Sequence, residues 1–158
     1  MKRIFKSVLA TLIAASFLVA PALAGPYEDG DAAHRRGDYA EAAALYRIAA
    51  DQGVPKAQHN LGRLYYSGKG VPQDYAKAAA WVRKAAEQGD ADSYTVIGSM
   101  YSTGRGVPKD FVEAYKWLSL AADRGDQKAL EFRNLADKRM TQDQITEAQR
   151  LARDWKPN

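Results

Sequence analysis

Apolar residues along this chain follow a helical rhythm that stops and restarts at fixed intervals. Over residues 57–67, Ala57, Leu61, Leu64 and Tyr65 are spaced for one face of a helix. Over residues 75–88, Tyr75, Ala78, Ala79, Trp81, Val82, Ala85 and Ala86 make a broader stripe on a second helix. Between them lies Gly68-Lys69-Gly70-Val71-Pro72-Gln73-Asp74, a run that breaks a helix and turns the chain. The pattern predicts a helix, a loop and a second helix.

Moved along by 36 residues, the sequence overlays itself. Leu61-Gly62 meets Ile97-Gly98, and Tyr65 meets Tyr101. Gly68, Gly70, Val71 and Pro72 meet Gly104, Gly106, Val107 and Pro108. Trp81, Ala85, Ala86 and Gly89 meet Trp117, Ala121, Ala122 and Gly125. In the other direction Asp38-Tyr39, Ala42, Ala49-Ala50 and Gly53 fall into register, so there are three copies, the first without the Gly-x-Gly-Val loop. A lone hairpin of this kind cannot bury its apolar face, but a stack of hairpins can.

Helix ends are marked as well. Asp38, Asp74 and Asp110 stand where an N-cap belongs, and Glu41 and Glu113 follow at the spacing of a capping box. Gly53, Gly89 and Gly125 follow the last apolar positions, as C-cap glycines do. Beyond the third copy the pattern changes, with Arg133-Asn134 in place of the Leu-Gly pair. Thr141-Gln142-Asp143-Gln144 reads as a capping box, opening a helix with Ile145, Ala148, Leu151, Ala152 and Trp155 on one face. A polar-faced closing element is what a solenoid needs at a free end.

The pattern L-G-x-x-Y-x-x-G-x-G-V-x-x-D-x-x-x-A-x-x-W-x-x-x-A-A-x-x-G resembles the Sel-1-like repeat, a relative of the tetratricopeptide repeat with a longer loop inside its hairpin. Residues 57–89 carry it completely, and residues 93–125 carry it with Ile97 and Phe111 as variants. Residues 30–53 look more like a plain tetratricopeptide unit, with Leu45 in place of the tryptophan. The resemblance implies an all-α solenoid of Sel-1-like/tetratricopeptide-type helical hairpins with a C-terminal capping helix. The expected divisions are 25–56, 57–92, 93–128 and a closing 129–158. Members of this family are mostly scaffolds and adaptors that hold other proteins, and exported bacterial members are often tied to signalling, envelope functions or host contact.

The first 24 residues stand apart. Lys2, Arg3 and Lys6 precede an apolar run from Val8 to Ala20, and Ala22-Leu23-Ala24 has the small residues of a signal-peptidase site. The run is too short to span a bilayer. The expectation is a signal peptide cleaved after Ala24, an exported protein that is periplasmic or secreted, and no stable membrane insertion afterwards. Without these residues the formal charge falls from +4 to +1, because 20 basic residues then face 19 acidic ones. No basic excess remains to suggest a nucleic-acid partner. Cysteine is absent, so no disulfide reinforces the fold and no lipidated cysteine follows the leader.

Gly68-Lys69-Gly70 invites comparison with a phosphate-binding loop, but the spacing is wrong. Five residues separate Gly62 from Gly68, a glycine follows the lysine, and no strand precedes. The second copy has Arg105 for Lys69 while the glycines, valine and proline recur, so the loop reads as backbone architecture. His34 and His59 are the only histidines, and without cysteine or a H-E-x-x-H motif no metal or cofactor is expected. A nucleophilic triad would need one of them beside a serine and an acid, and nothing local offers that. Cysteine-rich members of the resembled family have been linked to penicillin binding. This chain lacks those cysteines, and no serine is followed by lysine three residues on. The alternative of a small envelope hydrolase or β-lactam-interacting protein therefore rests on no motif, and a non-catalytic module that binds a protein or peptide is the leading expectation.

If the tetratricopeptide relation holds, the first helix of each hairpin lines a concave groove. Counting from the Leu-Gly-Tyr positions places Lys56, His59, Arg63 and Tyr66 there in the middle copy, and Asp92, Thr95, Ser99 and Ser102 in the next. Tyr27, Asp31 and His34 extend the row towards the N-terminus. Arg63 and Lys56 are the expected donors to a peptide or its acidic side chains.

Overall fold

The computed structural model describes residues 24–158, and these form eight helices and no strand. The expected leader and most of its cleavage signal lie outside the described residues. The helices are α1 (Pro26–Arg36), α2 (Tyr39–Asp51), α3 (Pro55–Ser67), α4 (Tyr75–Glu87), α5 (Ala91–Thr103), α6 (Phe111–Ala122), α7 (Gln127–Asp137) and α8 (Gln142–Asp154). α1/α2, α3/α4 and α5/α6 are hairpins that stack in chain order, the second helix of each against the first helix of the next. The fold is the expected all-α solenoid. No helix among the described residues is long and apolar enough to cross a membrane.

Small residues set how closely each hairpin closes. A Cβ on Gly62 would lie 2.6 Å from the Val82 Cγ2 and 3.1 Å from the Ala78 carbonyl oxygen. One on Gly98 would lie 2.7 Å from the Leu118 Cγ and 3.2 Å from the Ala114 carbonyl oxygen. In the first hairpin Gly30 takes the same role, with a would-be Cβ 2.8 Å from the Tyr46 ring. The core is continuous from Ala33 through Leu61, Leu64, Trp81, Val82, Tyr94, Ile97 and Trp117 to Ala129.

Asp74 and Asp110 cap their helices as expected, accepting from the Lys77 amide and from the Val112 and Glu113 amides. Asp90 and Asp126 do the same for α5 and α7. Asp38 does not: its carboxylate takes a guanidinium hydrogen bond from Arg36 at 3.1 Å. The two-residue turn after α1 holds Asp38 at ψ 65°, whereas Asp74 and Asp110 have ψ near 99° and 110°, extended enough to aim a carboxylate at the helix amides. The expected capping boxes on α2 and α6 are also absent. Glu41 is held by Arg36 at 3.0 Å, and Glu113 by Lys116 at 2.6 Å and the Trp117 indole N–H at 3.1 Å. The box at Thr141 and Gln144 is formed, and Gly53, Gly89 and Gly125 end their helices in left-handed backbone.

The Gly-x-Gly loop faces its neighbour. Gly70 and Gly106 have φ of 71° and 72°, and a Cβ on either would collide with the carbonyl group of Tyr39 or Tyr75. Each loop thus lies on the first residue of the second helix in the preceding hairpin. Lys69 sits 5.1 Å from the Tyr39 ring centre, and Arg105 sits 5.8 Å from that of Tyr75. The first hairpin has no predecessor among the described residues to lean on, and it is the one without the loop.

At the other end α7 follows α6 as the first helix of a fourth unit, and α8 crosses back onto α6. The Trp155 ring meets Tyr94 at 5.4 Å and Trp117 at 5.7 Å, both edge-on. The tail continues until the Asn158 amide donates to the Glu87 carbonyl at 2.9 Å.

Candidate functional site

The helices α1, α3, α5 and α7 share one side of the stack, and a cavity of about 430 Å³ runs across all four. Its floor is apolar, made by Leu64, Val96, Met100 and Phe132 with the rings of Tyr46 and Tyr66. Asn60, Ser67, Thr95 and Ser99 bring polar groups to the wall, and His34, Arg63, Lys69 and Lys128 bring basic ones. None of its lining residues is acidic. Two carboxylates are hydrogen-bonded to residues of this lining. Asp31 accepts from the Tyr46 hydroxyl at 2.6 Å, and Asp126 accepts from the Thr95 hydroxyl at 2.5 Å while capping α7. Hydrogen bonds from Thr95 and the α7 amides hold the Asp126 carboxyl below the usual carboxylate range. Burial and the bond to Asp31 push the Tyr46 phenol well above its ordinary value of 10.0.

The cavity brings together His34, Arg63, Tyr66, Thr95 and Ser99 from the eleven residues expected in the groove. It leaves six out. Lys56 and Asp92 are exposed on the first turns of α3 and α5, outside the lining. Tyr27 packs against Tyr46 at 6.1 Å, Asp31 is tied to the Tyr46 hydroxyl, and Ser102 donates to the Ser99 carbonyl. His59 is the clearest departure: it is buried between repeats. The N-terminus of α5 covers it, so the outward position on the helix is not a solvent position.

There the fold assembles a histidine, a serine and an acid that are scattered in sequence. The Ser93 hydroxyl donates to Asp90 at 2.5 Å and lies 2.8 Å from the His59 Nδ1. Because the only hydroxyl proton goes to Asp90, the Nδ1 of His59 carries the hydrogen and donates to the serine oxygen. The serine stands between the other two, whereas catalysis needs the histidine in the middle to take its proton. Ser93 is also 0% exposed. This cluster is a polar joint, not a nucleophile. Burial lowers the His59 pKa, with Asp90 opposing and Arg63 adding to the effect.

Sequence counting missed nine of the fourteen lining residues, among them Lys69, Lys128 and Phe132. Lys69 belongs to the loop, which was read as architecture. Lys128 and Phe132 lie in α7, where the lost Leu-Gly pair hides a fourth first-helix. The signal was present: Phe132 stands 36 residues after Val96, and both face the cavity.

The Sel1 repeat profile matches residues 20–54, 55–90 and 91–126. The chain belongs to the Sel1 repeat family. The Sel1 match takes in the first copy too, the one whose loop is missing. No curated protein matches the chain. Among solved structures it is similar to c5321, described as a protective antigen present in uropathogenic Escherichia coli strains displaying an SLR fold. That likeness has 34% identity and a TM-score of 0.75, and it covers 80% of this chain and 28% of that one. It is also similar to a Sel1 repeat protein from Oxalobacter formigenes, with 38% identity and a TM-score of 0.58, covering 61% of this chain and 40% of that one. The chain thus spans well under half the length of either relative. Sel1 repeats as a class mediate contacts between proteins and are typically non-catalytic.

Proposed function

We propose that this Sel1 repeat protein is an exported adaptor that holds a segment of another protein in the groove across α1, α3, α5 and α7. One observation carries the reading: four successive first-helices line a single cavity, and the side chains facing it differ between copies while the frame behind them repeats. Arg63 corresponds to Ser99 and Asn60 to Val96, yet Gly62 and Gly98, Tyr65 and Tyr101, and Trp81 and Trp117 hold the same places. A stack needs the second set to stand up, and the first set is free to specify a ligand. The basic leader, apolar run and Ala22-Leu23-Ala24 support export. Nothing among the described residues favours a hydrolase, since Ser93, which lies beside His59, is buried and donates its hydroxyl proton to Asp90.

A photo-crosslinking residue at position 67, on the groove wall, should capture a defined partner from native envelopes. Arg63→Ala combined with Ser67→Trp should abolish that partner's retention while leaving the melting curve in place. Retention unchanged by groove substitution would remove the groove from the reading. For export, mass analysis of the protein from cell fractions should find a mature chain beginning at Gly25 outside the cytoplasm.

A further inference from the structure

The lining of the groove carries basic side chains and no acidic one. Elsewhere among the described residues four cations meet acids: Arg36 pairs with Asp38 and Glu41, Lys77 with Asp74, Lys116 with Glu113, and Arg150 with Glu147 and Asp154. Arg63, Lys69 and Lys128 converge on one cavity, and no carboxylate of the described residues stands within 4.0 Å of any of them. Asp31 and Asp126 are hydrogen-bonded to the lining residues Tyr46 and Thr95, and the three basic side chains outnumber them. A concave wall with an excess of positive charge over an apolar floor concentrates its field towards a ligand of opposite sign.

Building on the groove reading, we propose that the occupant is an acidic peptide segment in which carboxylates flank an apolar side chain. Its acids meet Arg63 and Lys69 on one side and Lys128 on the other, and its apolar side chain rests on Leu64, Met100 and Phe132. Arg63 offers a fork suited to a carboxylate, and the two lysines act as point charges. The leader of this chain is not the occupant, because Lys2, Arg3 and Lys6 would bring like charge to the same wall.

The test is fluorescence anisotropy on the purified protein with three labelled hexapeptides: Asp-Glu-Leu-Phe-Asp-Glu, its charge reversal Lys-Arg-Leu-Phe-Lys-Arg, and the apolar-free Asp-Glu-Ser-Ser-Asp-Glu. The first should bind saturably and best. Arg63→Glu and Lys128→Glu, both at exposed positions, should each weaken it by roughly tenfold or more with unchanged circular dichroism. The Arg63→Glu/Lys128→Glu double variant should bind the basic peptide better than the parent does. The proposal is overturned by absent binding, by equal binding of the serine peptide or of oligodeoxythymidine, or by indifference to both substitutions. If position 67 captures a natural partner that the acidic peptide does not displace, the groove reading stands and this proposal falls. If there is neither capture nor peptide binding, both fall.

Discussion

Two kinds of junction hold the eight helices together. Between the first and second hairpins, and again between the second and third, the same parts recur 36 residues apart. Gly70 and Gly106 lie on the backbone of Tyr39 and Tyr75, and Lys69 and Arg105 cover those rings. Arg47 donates to the Tyr65 hydroxyl at 3.0 Å, and Arg83 to the Tyr101 hydroxyl at 2.6 Å. After α6 these parts stop. Ser119 and Asp137 stand where the arginine and tyrosine would be, and no glycine loop follows. An aromatic cluster of Tyr94, Trp117 and Trp155 takes over, with the tail tied to Glu87. The internal junctions spread their stabilisation over polar contacts that any further copy could reuse. The terminal one centres on Trp155, a ring with no counterpart one repeat earlier, set against Tyr94 and Trp117.

Truncating the terminal cluster should therefore cost most. Trp117 is 3% exposed, and Trp117→Ala is expected to lose ~3–5 kcal/mol in urea denaturation. A loss near that of an ordinary surface change would show the clasp to be dispensable. Next comes the loop seat. Gly106→Ala needs a residue with a side chain to hold left-handed backbone while its Cβ meets the Tyr75 carbonyl, an expected loss of ~1–3 kcal/mol. Gly125→Ala, at a similar φ but with nothing within 4 Å, should lose only about 1 kcal/mol. If the two melt alike, the close approach contributes nothing.

The struts follow. Arg47→Ala and Arg83→Ala should each cost ~1–2 kcal/mol, from a hydrogen bond and a cation–ring contact. Because they serve different junctions, the double variant should be additive within ~0.5 kcal/mol. Marked coupling would mean the junctions are not independent. The smallest effect is in pH. His59 is lowered in the fold from 6.5, so the unfolded chain takes up its proton first as pH falls. That part of the stability is complete above about pH 6.5 and is lost on acidification below it. Asp126, lowered in the fold from 3.8, loses its contribution only as pH falls through the lower carboxylate range, so the two are separable. His59→Asn should flatten the melting temperature between pH 7 and pH 5, and an unchanged slope would assign it to other groups.

The frame was legible in sequence because repetition makes a weak pattern visible three times. Leu61-Gly62 with Ile97-Gly98 placed the close helix crossings, and the loop glycines showed their own geometry. Side chains that reach across a junction were harder to read. Arg47 and Arg83 recur at the repeat distance, but their tyrosines lie 18 residues further on, in the next hairpin. Lys69 and Arg105 were read as interchangeable decoration. Their shared charge covers the aromatic ring of the neighbour, a contact that the loop's own residues do not reveal. His59 shows the same limit: a helix face read from one copy counts as open until the next copy is placed against it.

The loop seats also give the stack a direction in time. Each Gly-x-Gly loop rests on a helix start that belongs to the preceding hairpin, so the platform is always made before the part that lands on it. A chain that emerges N-terminus first on the far side of a membrane can dock each hairpin on arrival. Among the described residues the hairpin with the plain turn at Gly37-Asp38 is the first platform in that order, and Trp155 packs on last.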